Sequence, residues 1–122
     1  GLSYTRFTYS NIECSNKEIS TGDAVTLSAE VTNEGGVAAT EIVQLYIRDL
    51  VGSVTRPVRE LKGFRRVFLE PGQTKRISFE LDSAALSFHG RKQEKVIKAG
   101  EFCAWIGGDS GADLETRFRL VL

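Results

Sequence analysis

Among the groups in this 122-residue chain that could carry acid–base, nucleophilic or metal chemistry are one histidine, two cysteines and sixteen carboxylates. His89 stands alone between Phe88 and Gly90, with Arg91 and Lys92 following, and reads as a solvated residue at a hairpin tip. Cys14 and Cys103 could close one bridge around most of the chain, as a secreted protein would be free to do. Side-chain parity argues against it. Cys14 follows Ile12 at a spacing of two and faces the core, whereas the register Phe102, Ala104, Ile106 turns Cys103 and Trp105 outward. One thiol in and one thiol out do not bridge without moving backbone. The thiols and His89 also lack metal-ligand spacing, and no Gly-x-Ser-x-Gly elbow, phosphate-binding glycine loop or metalloprotease helix occurs. Carboxylate pairs for glycoside hydrolysis meet in space, so spacing alone does not exclude them. Glu30, Glu80 and Asp82, however, fall on the wet phase of their segments. No catalytic residue, cofactor or metal is therefore assigned.

Two features point to contact instead of catalysis. Between Arg56 and Arg66 the chain carries Arg56, Arg59, Lys62, Arg65 and Arg66 against Glu60 alone, a basic stretch in a chain whose charges otherwise balance. Either a polyanion or the carboxylates of a neighbouring domain would suit it; the planar arginine fork favours the second. On that reading Arg56 and Arg59 serve a neighbour, and their loss would leave this chain's own stability nearly unchanged. Trp105, the one tryptophan, is expected on the outer face, where it could stack on a sugar ring or bury itself against another domain.

With sixteen basic and sixteen acidic residues and a pI near 6.8, the chain has no general electrostatic hold on nucleic acid or anionic membrane. No apolar run approaches the roughly 18 residues that span a bilayer, and the start lacks a signal-peptide layout, so the expectation is a soluble, already trimmed chain. The length suits one domain, large enough to bury a core without staples.

The elements that must position these groups are strands. Val25, Leu27, Ala29 and Val31 alternate with Thr26, Ser28, Glu30 and Thr32; Val43, Leu45 and Ile47 with Gln44, Tyr46 and Arg48; Ile77, Phe79 and Leu81 with Ser78, Glu80 and Asp82. Phe102, Ala104 and Ile106 form a fourth such set, and Phe118, Leu120 and Leu122 a fifth. An N-terminal strand over Phe7 to Cys14 changes parity between Tyr9 and Ile12, which predicts a bulge. Turn residues fall where alternation stops, most sharply at Glu70-Pro71-Gly72-Gln73, whose proline and glycine suit a type II turn. Only Asp82 to Leu86 could make a turn of helix. Residues 50 to 63 read as a long connection of the kind that docks on something. The pattern predicts an all-β sandwich of about seven antiparallel strands.

Four stretches carry a resemblance as well. Gly1-Leu2-Ser3-Tyr4-Thr5 followed by Phe7, then Val31-Thr32-Asn33-Glu34-Gly35, then Glu41 to Asp49 with Ser53, Arg56 and Pro57, and finally Glu60-Leu61-Lys62-Gly63-Phe64-Arg65-Arg66-Val67 with Leu69, Pro71 and Gly72 resemble the C-terminal fibronectin type III-like domain of glycoside hydrolase family 3 enzymes. The likeness runs the length of the chain in order. It departs from the family between His89 and Ala99, where Glu94-Lys95-Val96-Ile97-Lys98-Ala99-Gly100 replaces a tryptophan-bearing pattern.

The resemblance implies an immunoglobulin-like sandwich over residues 1–122, with residues 1–5 joining it to a catalytic α/β domain. The parent enzyme would be a retaining β-glucosidase or β-xylosidase whose nucleophile and acid/base carboxylates lie in other domains. This piece would be a non-catalytic accessory domain. Its partners would be those catalytic domains, with Tyr4, Asp49, Ser53, Arg56, Pro57 and Arg59 as contact candidates. A carbohydrate-binding role, with polysaccharide as partner and Trp105 as glycan contact, is the alternative. The resemblance also implies a periplasmic or secreted parent, no cofactor, and neither nucleic acid nor membrane as partner.

Overall fold

Among the described residues the chain forms ten strands: β1 (Phe7–Cys14), β2 (Glu18–Ser20), β3 (Ala24–Asn33), β4 (Ala39–Asp49), β5 (Glu60–Leu69), β6 (Thr74–Asp82), β7 (Phe88–His89), β8 (Lys95–Val96), β9 (Gly100–Gly107) and β10 (Glu115–Val121). The structure is a computed structural model, and it describes residues 5–50, 59–82, 86, 88–89, 95–96 and 100–121. One sheet has the order β1-β3-β6, a second the order β2-β10-β9-β4-β5, and β7 pairs with β8 in a small ladder. All pairings are antiparallel except β2 with β10.

The two larger sheets face one another as the alternation predicts. Val25, Leu27, Ala29 and Val31 of β3, with Phe79 and Leu81 of β6, meet Val43, Leu45 and Ile47 of β4 and Phe102, Ala104 and Ile106 of β9 in one buried cluster. Phe118 and Leu120 extend it along β10, where the Phe118 ring stacks on Phe102 at 5.5 Å. Burial of these side chains is the main force holding the sandwich, at about 1.5–3 kcal/mol for each large aliphatic or aromatic.

The two larger sheets together hold eight strands, one more than expected. β2 is three residues long, too short for alternation to register; it is held by the buried Ile19 and by parallel pairing with Arg119 to Val121. The connection expected over residues 50 to 63 is shorter than its sequence suggested, because Glu60 to Gly63 already pair with β4 as the start of β5. Residues 51–58 lie outside the described residues, as does most of the segment expected to form a turn of helix. Leu86, at its end, is fully buried.

Local chemistry fixes the turns. Gly72 has φ of 80° and the Gln73 N–H donates to the Glu70 carbonyl at 2.9 Å, the type II geometry that Pro71-Gly72 predicts. In β1 the register slips between Ser10 and Glu13, where Asn11 takes φ of 53° and its amide reaches Glu30 at 2.6 Å; this is the bulge the parity change foretold.

Buried Asn33 ties one end of the sandwich. Its amide donates to the carbonyls of Val37 at 2.9 Å and Leu69 at 3.0 Å, and its side-chain oxygen accepts from the Gly35 N–H at 2.9 Å. Its backbone exchanges bonds with Gln73 and Gly72. The end of β3, the end of β5 and the Pro71-Gly72 turn are thereby locked together. Among the described residues no helix is long and apolar enough to cross a membrane.

Candidate docking surface

The face of the five-stranded sheet that turns away from the core carries the residues the sequence singled out. Antiparallel register puts Leu61, Tyr46, Trp105 and Glu115 in one row across β5, β4, β9 and β10. Arg48, Cys103 and Arg117 stand beside it on one flank, and Phe64, Gln44 and Gly107 on the other.

Trp105 does point away from the core, but it is not the exposed platform expected. Only 7% of it is accessible, because the Arg59 guanidinium lies over the indole at 3.9 Å from the ring centre. Arg59 Nη1 also donates to the backbone carbonyls of Ala112 at 2.6 Å and Ser110 at 3.0 Å. The residue entering β5 is thus clamped to the β9–β10 turn, with its planar fork serving ring and carbonyls together. The expectation that Arg59 is idle in the domain's own fold is revised accordingly. Beside this clamp the Tyr46 hydroxyl donates to the Gln44 side chain, whose amide donates to the Gly108 carbonyl at 3.0 Å.

Cys103 also departs from expectation. It turns away from the core, yet it is buried, and its thiol donates to Glu115 Oε2 at 2.6 Å. Burial first, then the bond to Glu115 and that carboxylate's charge, push the thiol up to about 12 against the opposing pull of Arg117. The group is a protonated, unreactive thiol at neutral pH. Cys14 sits at the core's edge, and both cysteines are free, matching the parity reading.

Where β1, β4 and the β9–β10 turn meet, the Tyr9 hydroxyl donates to Glu41 Oε2 at 2.8 Å and the Ile42 N–H donates to Glu41 Oε1 at 3.0 Å. Burial, the bond to Glu41 and the charges of Glu41 and Asp109 hold the Tyr9 hydroxyl well above its ordinary value. A Cβ on Gly108 would stand 2.9 Å from Glu41 Oε2, so a larger residue there would have to displace the Glu41 carboxylate from Tyr9. The open hollow alongside, about 370 Å³, is lined by Tyr9, Gly107, Gly108, Ala112 and Asp113 among others. A single carboxylate, that of Asp113, lines it, so it does not present the facing acid pair that glycoside hydrolysis uses. Among the described residues no group of three His, Cys, Asp or Glu is placed to hold a metal ion.

Of the contact candidates, Tyr4, Ser53, Arg56 and Pro57 lie outside the described residues. Asp49 ends β4 opposite Phe102. The residues most available to a partner are ones the sequence reading passed over: Leu61, Phe64 and Phe68 of β5 are 49%, 60% and 52% exposed. A signal for them exists in the sequence. The run Glu60 to Leu69 has apolar residues on both phases, more than the one buried face needs, while Val67 and Leu69 alone fill the core side.

Comparison with known proteins places this sandwich. The family of fibronectin type III-like domains matches residues 41–110, and the chain belongs to it. Over 113 residues, 93% of this chain, it is 42% identical to a β-xylosidase of Formosa agariphila, and over 111 residues, 90% of the chain, 43% identical to thermostable β-glucosidase B of Acetivibrio thermocellus. The chain spans only 16% and 15% of the lengths of those relatives. A β-glucosidase structure from Erythrobacter marinus superposes with a TM-score of 0.88 at 37% identity, covering 99% of this chain and 16% of that one. The chain is thus a fibronectin type III-like domain of the type found within β-glucosidases and β-xylosidases.

Proposed function

We propose that this chain is a non-catalytic accessory domain of a larger glycoside hydrolase of the family 3 type, a β-glucosidase or β-xylosidase, and that it packs on and stabilises the catalytic domains. The observation that carries this reading is the asymmetry of the matches: nearly the whole chain aligns, yet it fills about 16% of each relative. The described residues supply ion pairs, a stacked arginine and buried hydrogen bonds, all of which serve architecture. Tyr4, Asp49, Ser53, Arg56 and Pro57 belong to this reading as contacts with the catalytic body; Arg59 would contribute by holding the start of β5 in place.

Deleting the domain from its parent enzyme is expected to lower the melting temperature or the soluble yield. A truncated enzyme that keeps full activity and an unchanged melting temperature would reject the proposal. The carbohydrate-binding alternative requires an open aromatic platform, whereas Trp105 has one face occupied by Arg59. Calorimetric titration of the chain with cello- and xylo-oligosaccharides at millimolar concentration separates the two. Saturable heat with quenching of Trp105 fluorescence would favour glycan binding; no heat is expected.

A further inference from the structure

The fold leaves one large apolar feature uncovered. β5 is an edge strand, bonded to β4 on one side only. Its outward residues Leu61, Phe64 and Phe68 are 49%, 60% and 52% exposed, with Arg66 among them, itself exposed and in no ion pair among the described residues. For side chains of this size the three together offer on the order of 300 Å² of apolar surface, at the level where a patch marks an interaction site. We infer that this outer face of β5 is the surface by which the domain seats on the catalytic part of its larger chain, against an apolar strip edged with carboxylates that meet Arg66. The inference rests on the accessory-domain reading and specifies its interface.

Size and charge select that occupant over a second copy of the chain. A freely associating dimer needs about 800 Å² from each partner, more than twice this patch. A covalently attached neighbour needs far less, because the linker holds the partner at roughly millimolar effective concentration. Pairing β5 with its own copy would also bring Arg65 and Arg66 of both chains together along the new ladder, and adjacent charges of this kind on an edge strand oppose such pairing. An acid-edged partner on the outer face meets Arg66, while Arg65 lies on the other face of β5, over the Phe79 ring at 5.2 Å.

The test compares three forms of the full-length enzyme: intact, lacking the domain, and carrying Phe64→Ser with Phe68→Ser. Both replaced side chains are exposed, so the domain itself should still fold, and hydrogen exchange along β3 and β6 monitors that. The expected result is that the double variant reproduces at least half of the melting-temperature loss caused by deletion. Its β5 amides should exchange at least tenfold faster than in the intact enzyme, with β3 and β6 unchanged. Arg66→Glu should act in the same direction. If deletion destabilises the enzyme but the double variant does not, another surface is used and this inference falls while the accessory-domain reading stands. If deletion has no effect, both fall. A dimer in light scattering that the double variant splits would overturn the inference in favour of a second copy.

Discussion

Replacing Arg59 with alanine removes three contacts together: the guanidinium over the Trp105 ring at 3.9 Å and the bonds to the carbonyls of Ala112 and Ser110 at 2.6 and 3.0 Å. The stacked pair, with its ring nearly covered, is worth about 1 kcal/mol. The bond to Ala112, partly buried, adds about 1 kcal/mol, and the exposed bond to Ser110 about half of that. The 122-residue chain should therefore lose about 2–3 kcal/mol, or roughly 10 °C in melting temperature for a domain of this size. Urea unfolding followed by Trp105 fluorescence measures it directly, since that residue is the one tryptophan in the chain. Arg59→Lys keeps the charge but not the planar fork and should recover less than half of the loss. A double-mutant cycle with Trp105→Leu, followed by circular dichroism, should give a coupling of about 1 kcal/mol. A loss of no more than ~0.5 kcal/mol for Arg59→Ala, the range of an ordinary surface change, would refute the clamp and return Arg59 to the role of an arginine waiting for a neighbour.

Other perturbations test the core, the knot and the buried thiol. Leu45→Ala or Phe79→Ala, each within the sealed core, should cost about 2–5 kcal/mol in the same urea assay by leaving a cavity. Asn33→Ala strands the buried carbonyl of Leu69 and frees the partly buried one of Val37, and should cost about 2–3 kcal/mol, with faster hydrogen exchange at Gly72 and Gln73 as its local signature. Because the Cys103 thiol is raised from 9.0 to about 12, the folded chain keeps a proton that the unfolded chain releases. The stability from this source is complete below about pH 9 and is lost as pH climbs toward 12, so melting temperature should fall on that alkaline limb. Tyr9 adds to the fall above its ordinary value of 10.0. Glu115→Gln removes the carboxylate's share of that shift and should make the limb less steep, burial supplying the remainder. In the native chain at pH 8, Cys103 should stay silent to a thiol reagent until denaturant is added.

The positions of β3, β4, β6, β9 and β10 could be read from the sequence because a half-buried strand writes its burial in every second residue. The Asn11 bulge and the Pro71-Gly72 turn were equally legible, since each depends on local backbone chemistry. β2 and β5 were not. Three residues held by a parallel neighbour carry no period, and the extra apolar residues of β5 blur its two phases.

By itself the sequence determined which side of β3, β4, β6, β9 and β10 faces inward, and so the sandwich and the separation of Cys14 from Cys103. Parity tells the direction of a side chain, though, and not what lies above it. Only the tertiary structure decided that Trp105 and Cys103, both turned away from the core, are nevertheless covered: Arg59 reaches Trp105 because β5 pairs with β4 and β4 with β9, pairings far apart in sequence, and Glu115 reaches Cys103 across the β9–β10 ladder. The same folding left Phe64 and Phe68 bare, because they lie on the outward face of β5 and, among the described residues, β5 is the edge of its sheet. Cover depends on which elements become neighbours, and long-range pairing sets that.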